Sequence, residues 1–98
     1  MGTFYTECTI ENHVNRKKAT HIPKILVDTG NEYTWVSGEL LKKIGVTREK
    51  KDLLFVMANG QRITRNVGFV IIRIGEYFTI DEVVFGEEGD MILLVART

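Results

Sequence analysis

Three strand-type residues, Ile25-Leu26-Val27, run straight into Asp28-Thr29-Gly30. That junction constrains the chain more than any other segment. An apolar triplet of this kind is normally buried, and a carboxylate at its end must be paired, protonated or put to chemical use. Thr29 offers a hydroxyl that can fix a turn. Gly30, lacking Cβ, lets another segment or a substrate approach the backbone. The sequence holds one such tripeptide in 98 residues. If the chemistry needs a second carboxylate, a second copy of the chain must supply it.

The rest of the sequence reads mainly as strands. Phe4, Thr6, Cys8 and Ile10 alternate with Tyr5, Glu7, Thr9 and Glu11, the period of a half-buried strand. Asn12 to Thr20, with Arg16, Lys17 and Lys18, reads as a solvated loop. Pro23 then admits the strand that ends at Asp28. Leu53 to Ala58 leads into Asn59-Gly60, the dipeptide suited to a type I′ turn, and Gln61 to Ile74 forms the return strand. Gly68 within it suggests a bulge or bend. Gly75-Glu76 allows a second hairpin, Tyr77, Thr79, Val83 and Phe85 continue extended, and Gly86 to Gly89 turns the chain. Met91 to Val95 is wholly apolar, the mark of a strand buried on both faces.

One segment reads as helix. Ser37 can cap it, Glu39 suits its first turn, and Leu40, Leu41 and Ile44 share a face. Lys42 and Lys43 suit its C-terminal end, and Gly45 stops it. Arg48 to Asp52 reads as a solvated loop. The expected fold is mostly β, a small closed or folded-over barrel-like domain over residues 1–98 with one short helix.

Charge narrows the function classes. Thirteen basic residues balance thirteen acidic ones, so no net field favours nucleic acid or an anionic membrane. No apolar run approaches the ~18 residues needed to span a bilayer, and the N-terminus lacks the pattern of a secretory signal. The lone Cys8 cannot build an internal disulfide framework and fits a reducing compartment, so the cytoplasm is the expected location. Cys8 is expected as a packed thiol, Ser37 as a cap rather than a nucleophile, and Trp35 and Phe55 as core. His13 and His21 are separated and show no metal spacing, and no metal or cofactor is expected. Arg62 and Arg65, just beyond the Asn59-Gly60 turn, are expected in solvent.

Two carboxylates about 3 Å apart share a proton, because both cannot easily ionise. One then serves as general base toward a water, while the other donates to the carbonyl under attack. This hydrolyses amides without metal, nucleophilic side chain or cofactor, provided a lid excludes bulk water. One copy of the chain offers one suitable Asp and one candidate lid, the hairpin tipped by Asn59-Gly60. A two-fold dimer would supply two of each.

The segment Ile25 to Gly30, followed by Thr34-Trp35-Val36, resembles the active-site loop of retropepsin-like aspartic peptidases. The resemblance covers nearly the whole chain in order and approximate spacing: a first hairpin at Asn59-Gly60, a second at Gly75-Glu76, and a late apolar segment, Met91 to Leu94. It is nearest in character to small bacterial and archaeal members. The resemblance implies a homodimeric endopeptidase acting on an extended peptide or protein. It makes Asp28 the catalytic carboxylate, Thr29 a brace across the dimer axis, and Gly30 a backbone presented to substrate. Asn59 and Gly60 would tip a flap flanked by Ala58 and Gln61. Three departures stand out: Asn31 replaces a small residue, Val95 replaces a Gly after the apolar pair, and the sequence stops at Thr98 where the family continues into a helix and strand. A non-catalytic peptide-binding or dimerisation module of the same fold is the alternative.

Overall fold

The computed structural model describes residues 3–95. The elements follow in the order β1 (Thr3–Asn12), β2 (Ala19–Asp28), β3 (Thr34–Ser37), α1 (Gly38–Lys43), β4 (Lys50–Val56), β5 (Arg62–Ile74), β6 (Tyr77–Gly86) and β7 (Leu93–Val95). They form one sheet in the order β1-β2-β7-β3-β6-β5-β4. β1 also pairs with β5, through Ile10↔Ile72 and Asn12↔Val70 among others, so six strands close into a barrel and β4 stays on the edge. The expected mostly-β, closed fold with one short helix is what the chain adopts.

β7 is the element that organises the candidate site. It lies parallel to β2, with Leu26↔Leu93 and Asp28↔Val95, and antiparallel to β3, with Trp35↔Leu93. The 29–33 loop therefore bridges over β7 as it passes from β2 to β3. Leu93 and Leu94 are buried on opposite faces, as the apolar run implies. Met91 and Ile92 are not: they precede the strand and stand in solvent, 64% and 36% exposed.

Two hydrophobic clusters divide the sheet's faces. The first fills the barrel with Cys8, Ile10, Ile25, Val27, Val36, Val70, Ile72, Val83, Phe85 and Leu94, and Leu41 and Ile44 close it beside α1. Cys8 is packed here as expected, and burial pushes its thiol up to about 11. The second, Trp35, Val67, Val84 and Leu93, lies under the β4–β5 hairpin with Tyr33, Leu53, Phe55 and Ile63 packed on it.

Several local expectations are corrected. Pro23 lies inside β2, at a bulge where Pro23 and Lys24 face Glu7 alone, between Thr6↔Ile25 and Cys8↔Ile22. The missing donor is tolerated at such a break in the ladder. The loop after β1 is shorter than the polar stretch suggested, because Glu11 pairs with Ala19. Asn12 organises it: its Oδ1 accepts from the Val14 and Asn15 N–H groups and its Nδ2 donates to the Ile44 carbonyl. Ser37 precedes α1 but makes no side-chain cap bond.

Lys50 to Asp52 open β4 rather than a loop. Lys51 and Asp52 face Asn66 alone, and Asp52 adopts φ 54°. The first hairpin turn is not type I′. Gly60 has φ 84° while Asn59 does not adopt positive φ, and Gly60 N–H donates to Met57 O. Met57 N–H donates to Gln61 O, giving a three-residue loop with glycine in the left-handed position. Gly75, at φ 58°, opens the second hairpin as expected. Gly68 is no bulge, since β5 keeps register with β6 through Val67↔Val84 and Gly68↔Val83. It is needed because the Thr47 carbonyl comes within 2.5 Å of where a Cβ would sit. No helix among the described residues is long and apolar enough to cross a membrane.

Candidate active site

β2 delivers Asp28 to the mouth of the barrel, and the loop that follows turns back on its carboxylate. Gly30 N–H donates to Oδ1 at 2.8 Å, and the Asn31 side-chain amide donates to Oδ2 at 2.9 Å. The sequence suggested a buried carboxylate. In the single chain it is half-buried instead, and its charge is met by donors rather than by a cation. The Gly30 N–H, and after it the Asn31 amide, hold this carboxyl below the usual carboxylate range. Thr29 and Gly30 lie exposed beside it.

The loop's return limb is tied down separately. Thr34 is fully buried, and its Oγ1 accepts the Val95 N–H at 3.1 Å. Val95, where a glycine was expected, keeps its backbone in the ladder opposite Asp28.

A groove of about 870 Å³ runs between this loop and the β4–β5 hairpin. Gly30 and Asn31 contribute to one wall, and Met57, Ala58, Asn59 and Gln61 to the other. So the structure brings three of the four hairpin-tip residues named from the sequence, Ala58, Asn59 and Gln61, to the same groove as the Asp28 loop. Gly60 stands clear at the turn, with no atom within 4 Å of a built Cβ. Tyr33, Phe55 and Trp35 line the base of the groove as a ladder of rings: Tyr33 meets Phe55 edge-on at 5.3 Å, and Trp35 lies 5.2 Å from Phe55. Trp35 and Phe55 are thus core residues and groove lining at once.

Arg65 is not in solvent. Its Nε and Nη2 donate to the two Asp90 oxygens at 2.7 and 2.9 Å, a bidentate pair with both side chains 14% exposed. Asp90 Oδ2 also accepts the Glu87 N–H. The pair joins β5 to the turn that feeds β7, at the edge of the groove. A signal for it was present. Arg65 occupies the inward register of β5 between Ile63 and Val67, where a charge requires a partner. Asn31 was visible only as a departure, without its role as a donor to Asp28.

His13 and His21 are exposed and contact Phe69 O and Thr9 Oγ1 respectively. Among the described residues no group of three His, Cys, Asp or Glu side chains is placed to hold a metal ion. Compared with known proteins, residues 9–94 match the family model for aspartyl proteases. No curated protein and no solved structure matches the chain.

Proposed function

The chain belongs to the aspartyl protease family of the retropepsin-like clan, and from that premise we propose that it is an aspartic endopeptidase whose site is completed by a second copy. The observation that carries this reading is the Asp28 carboxylate, held by Gly30 and Asn31, two residues that line a groove whose other wall is a β-hairpin. Each copy contributes one Asp28. When two meet across a two-fold axis, like-charge repulsion raises one pKa against donors that favour ionisation, and one proton is shared.

The ionised partner then takes a proton from a water as that water attacks the scissile carbonyl. The protonated partner donates to the carbonyl oxygen. Collapse of the tetrahedral species returns a proton to the leaving amine. Thr29 braces the two loops, Gly30 presents backbone, and the tip from Ala58 to Gln61 acts as the flap over an extended peptide.

Dimerisation is supported by apolar surface beside Asp28. Phe4 and Tyr5, 56% and 60% exposed, pair with Val27 and Leu26 just ahead of it, and Met91 stands exposed before β7. A soluble cytoplasmic setting agrees with the lone, packed Cys8. The test is cleavage of an unstructured peptide library by the wild-type chain and by Asp28→Asn, over a range of protein concentrations. Turnover that rises faster than linearly with concentration and vanishes in Asp28→Asn is expected. Peptide binding without turnover, unchanged in Asp28→Asn, would instead favour a non-catalytic binding module.

A further inference from the structure

We propose that Asn31 is a positioning residue for Asp28, its side-chain amide fixing the plane of the carboxylate that the Gly30 N–H alone would leave free to swing. The geometry is specific. One donor reaches each oxygen, Gly30 N–H to Oδ1 at 2.8 Å and Asn31 Nδ2 to Oδ2 at 2.9 Å. A carboxylate offers about four lone-pair sites, so each oxygen keeps a site for a water or a shared proton. The two bonds together define the torsion of the carboxyl group, and a single bond does not.

The chemistry of the donor matters as much as its place. An amide N–H is neutral. It favours the ionised carboxylate without the added charge of a Lys or Arg, which would hold the group ionised and prevent proton sharing. Alanine or glycine at position 31 would offer Oδ2 no donor. The neighbours across the ladder, Thr3 of β1 and Val95 of β7, carry no charge, and within the loop Thr29, Gly30 and Asn31 are neutral. Glu32 is the nearest acidic residue along the loop, and it is exposed. Asn31 also lines the groove, so the carboxylate's support and the substrate's path share one side chain.

Asn31 serves catalysis in this way only if Asp28 is the catalytic carboxylate, as proposed above. The carboxylate's own titration can be followed whether or not the chain turns over. Carbon-13 NMR of the Asp28 carboxyl in the full chain, at fixed protein concentration, compares wild type, Asn31→Ala and Asn31→Ser. Removing a donor to the ionised form raises the pKa. The midpoint therefore moves to higher pH in Asn31→Ala and part of the way back in Asn31→Ser, which keeps a donor. In peptide cleavage, Asn31→Ala lowers kcat roughly tenfold through misplacement of the carboxylate, leaves KM within about twofold, and moves both limbs of the pH profile upward. An Asp28 midpoint equal in wild type and Asn31→Ala overturns the role, as does lost activity with an unmoved pH profile. Failure of the wild type to cleave any peptide counts against the peptidase reading, and the NMR comparison still decides whether Asn31 holds the carboxylate.

Discussion

Val95 donates its backbone N–H to the buried Oγ1 of Thr34 at 3.1 Å, and this bond ties β7 to the far limb of the loop that carries Asp28. The contact spans 61 residues of sequence. It joins β3, where the loop ends, to β7, which lies between β2 and β3, so the loop is anchored at both ends: at Asp28 by the β2–β7 ladder, and at Thr34 by this hydroxyl.

Replacing Thr34 by Val keeps the shape and removes the acceptor. The Val95 N–H is then left without its partner, which costs about 1–3 kcal/mol when a donor is stranded. Thr34→Ser, which retains the oxygen, should recover part of that loss. Urea denaturation of the three proteins checks it, and a Thr34→Val midpoint equal to wild type would show that water replaces the hydroxyl.

Gly68→Ala should destabilise the chain for a different reason. Its Cβ would meet the Thr47 carbonyl at 2.5 Å and the Phe85 ring and Val46 at 3.1 Å. Backbone and packed side chains must move to admit it, and overpacking of this kind costs about 1–3 kcal/mol. The same urea measurement applies. A neutral result would mean that the segment carrying Thr47 yields without cost.

Local signals carried those parts of the fold that neighbouring residues determine. The alternation in β1, the Gly75 hairpin, the apolar Leu93-Leu94 pair and the packed Cys8 all depend on short stretches. What stayed illegible depends on distant partners. β3 is four residues long, too short to show a period, and is a strand because β6 and β7 flank it. Met91 and Ile92 are as apolar as the residues after them, yet the chain reaches the β2–β3 gap only at Leu93. Asn59-Gly60 is the favoured pair for a two-residue turn, but pairing of Met57 with Gln61 takes Ala58 into the loop as well. Of the candidate site, Asp28 and the hairpin tip could be read from residue pattern. The bond made by Asn31 could not, and for Arg65 the inward register signals that a partner is needed without identifying Asp90, because side-chain reach is set by the folded loops.

Acid should weaken the fold through Asp90 and Glu11. The Arg65 guanidinium holds Asp90 below the usual carboxylate range, and Arg73, with Arg16, does the same for Glu11. A carboxyl whose pKa is lower folded than unfolded contributes stability above its unfolded value, near ~4, and loses it as pH falls through the folded value. The urea midpoint should therefore hold between neutrality and about pH 5 and fall below about pH 4. Asp90→Asn should flatten part of that fall, while lowering stability at pH 7 by about 1–3 kcal/mol through loss of a charged hydrogen-bonded pair. An acid limb identical in wild type and Asp90→Asn would remove Asp90 from this account.

Whether two copies of Asp28 act together is decided by mixing active and inactive chains. Asp28→Asn is added to a fixed amount of active wild-type chain and peptide cleavage is followed. If each active site needs one carboxylate from each of two protomers, wild-type chains are drawn into mixed dimers that lack one. A ninefold excess of the variant should then reduce cleavage to roughly one tenth, by random association of equivalent protomers. Cleavage unchanged by the excess, at concentrations where the protein is dimeric, would show that one chain carries the whole site and would contradict the claim.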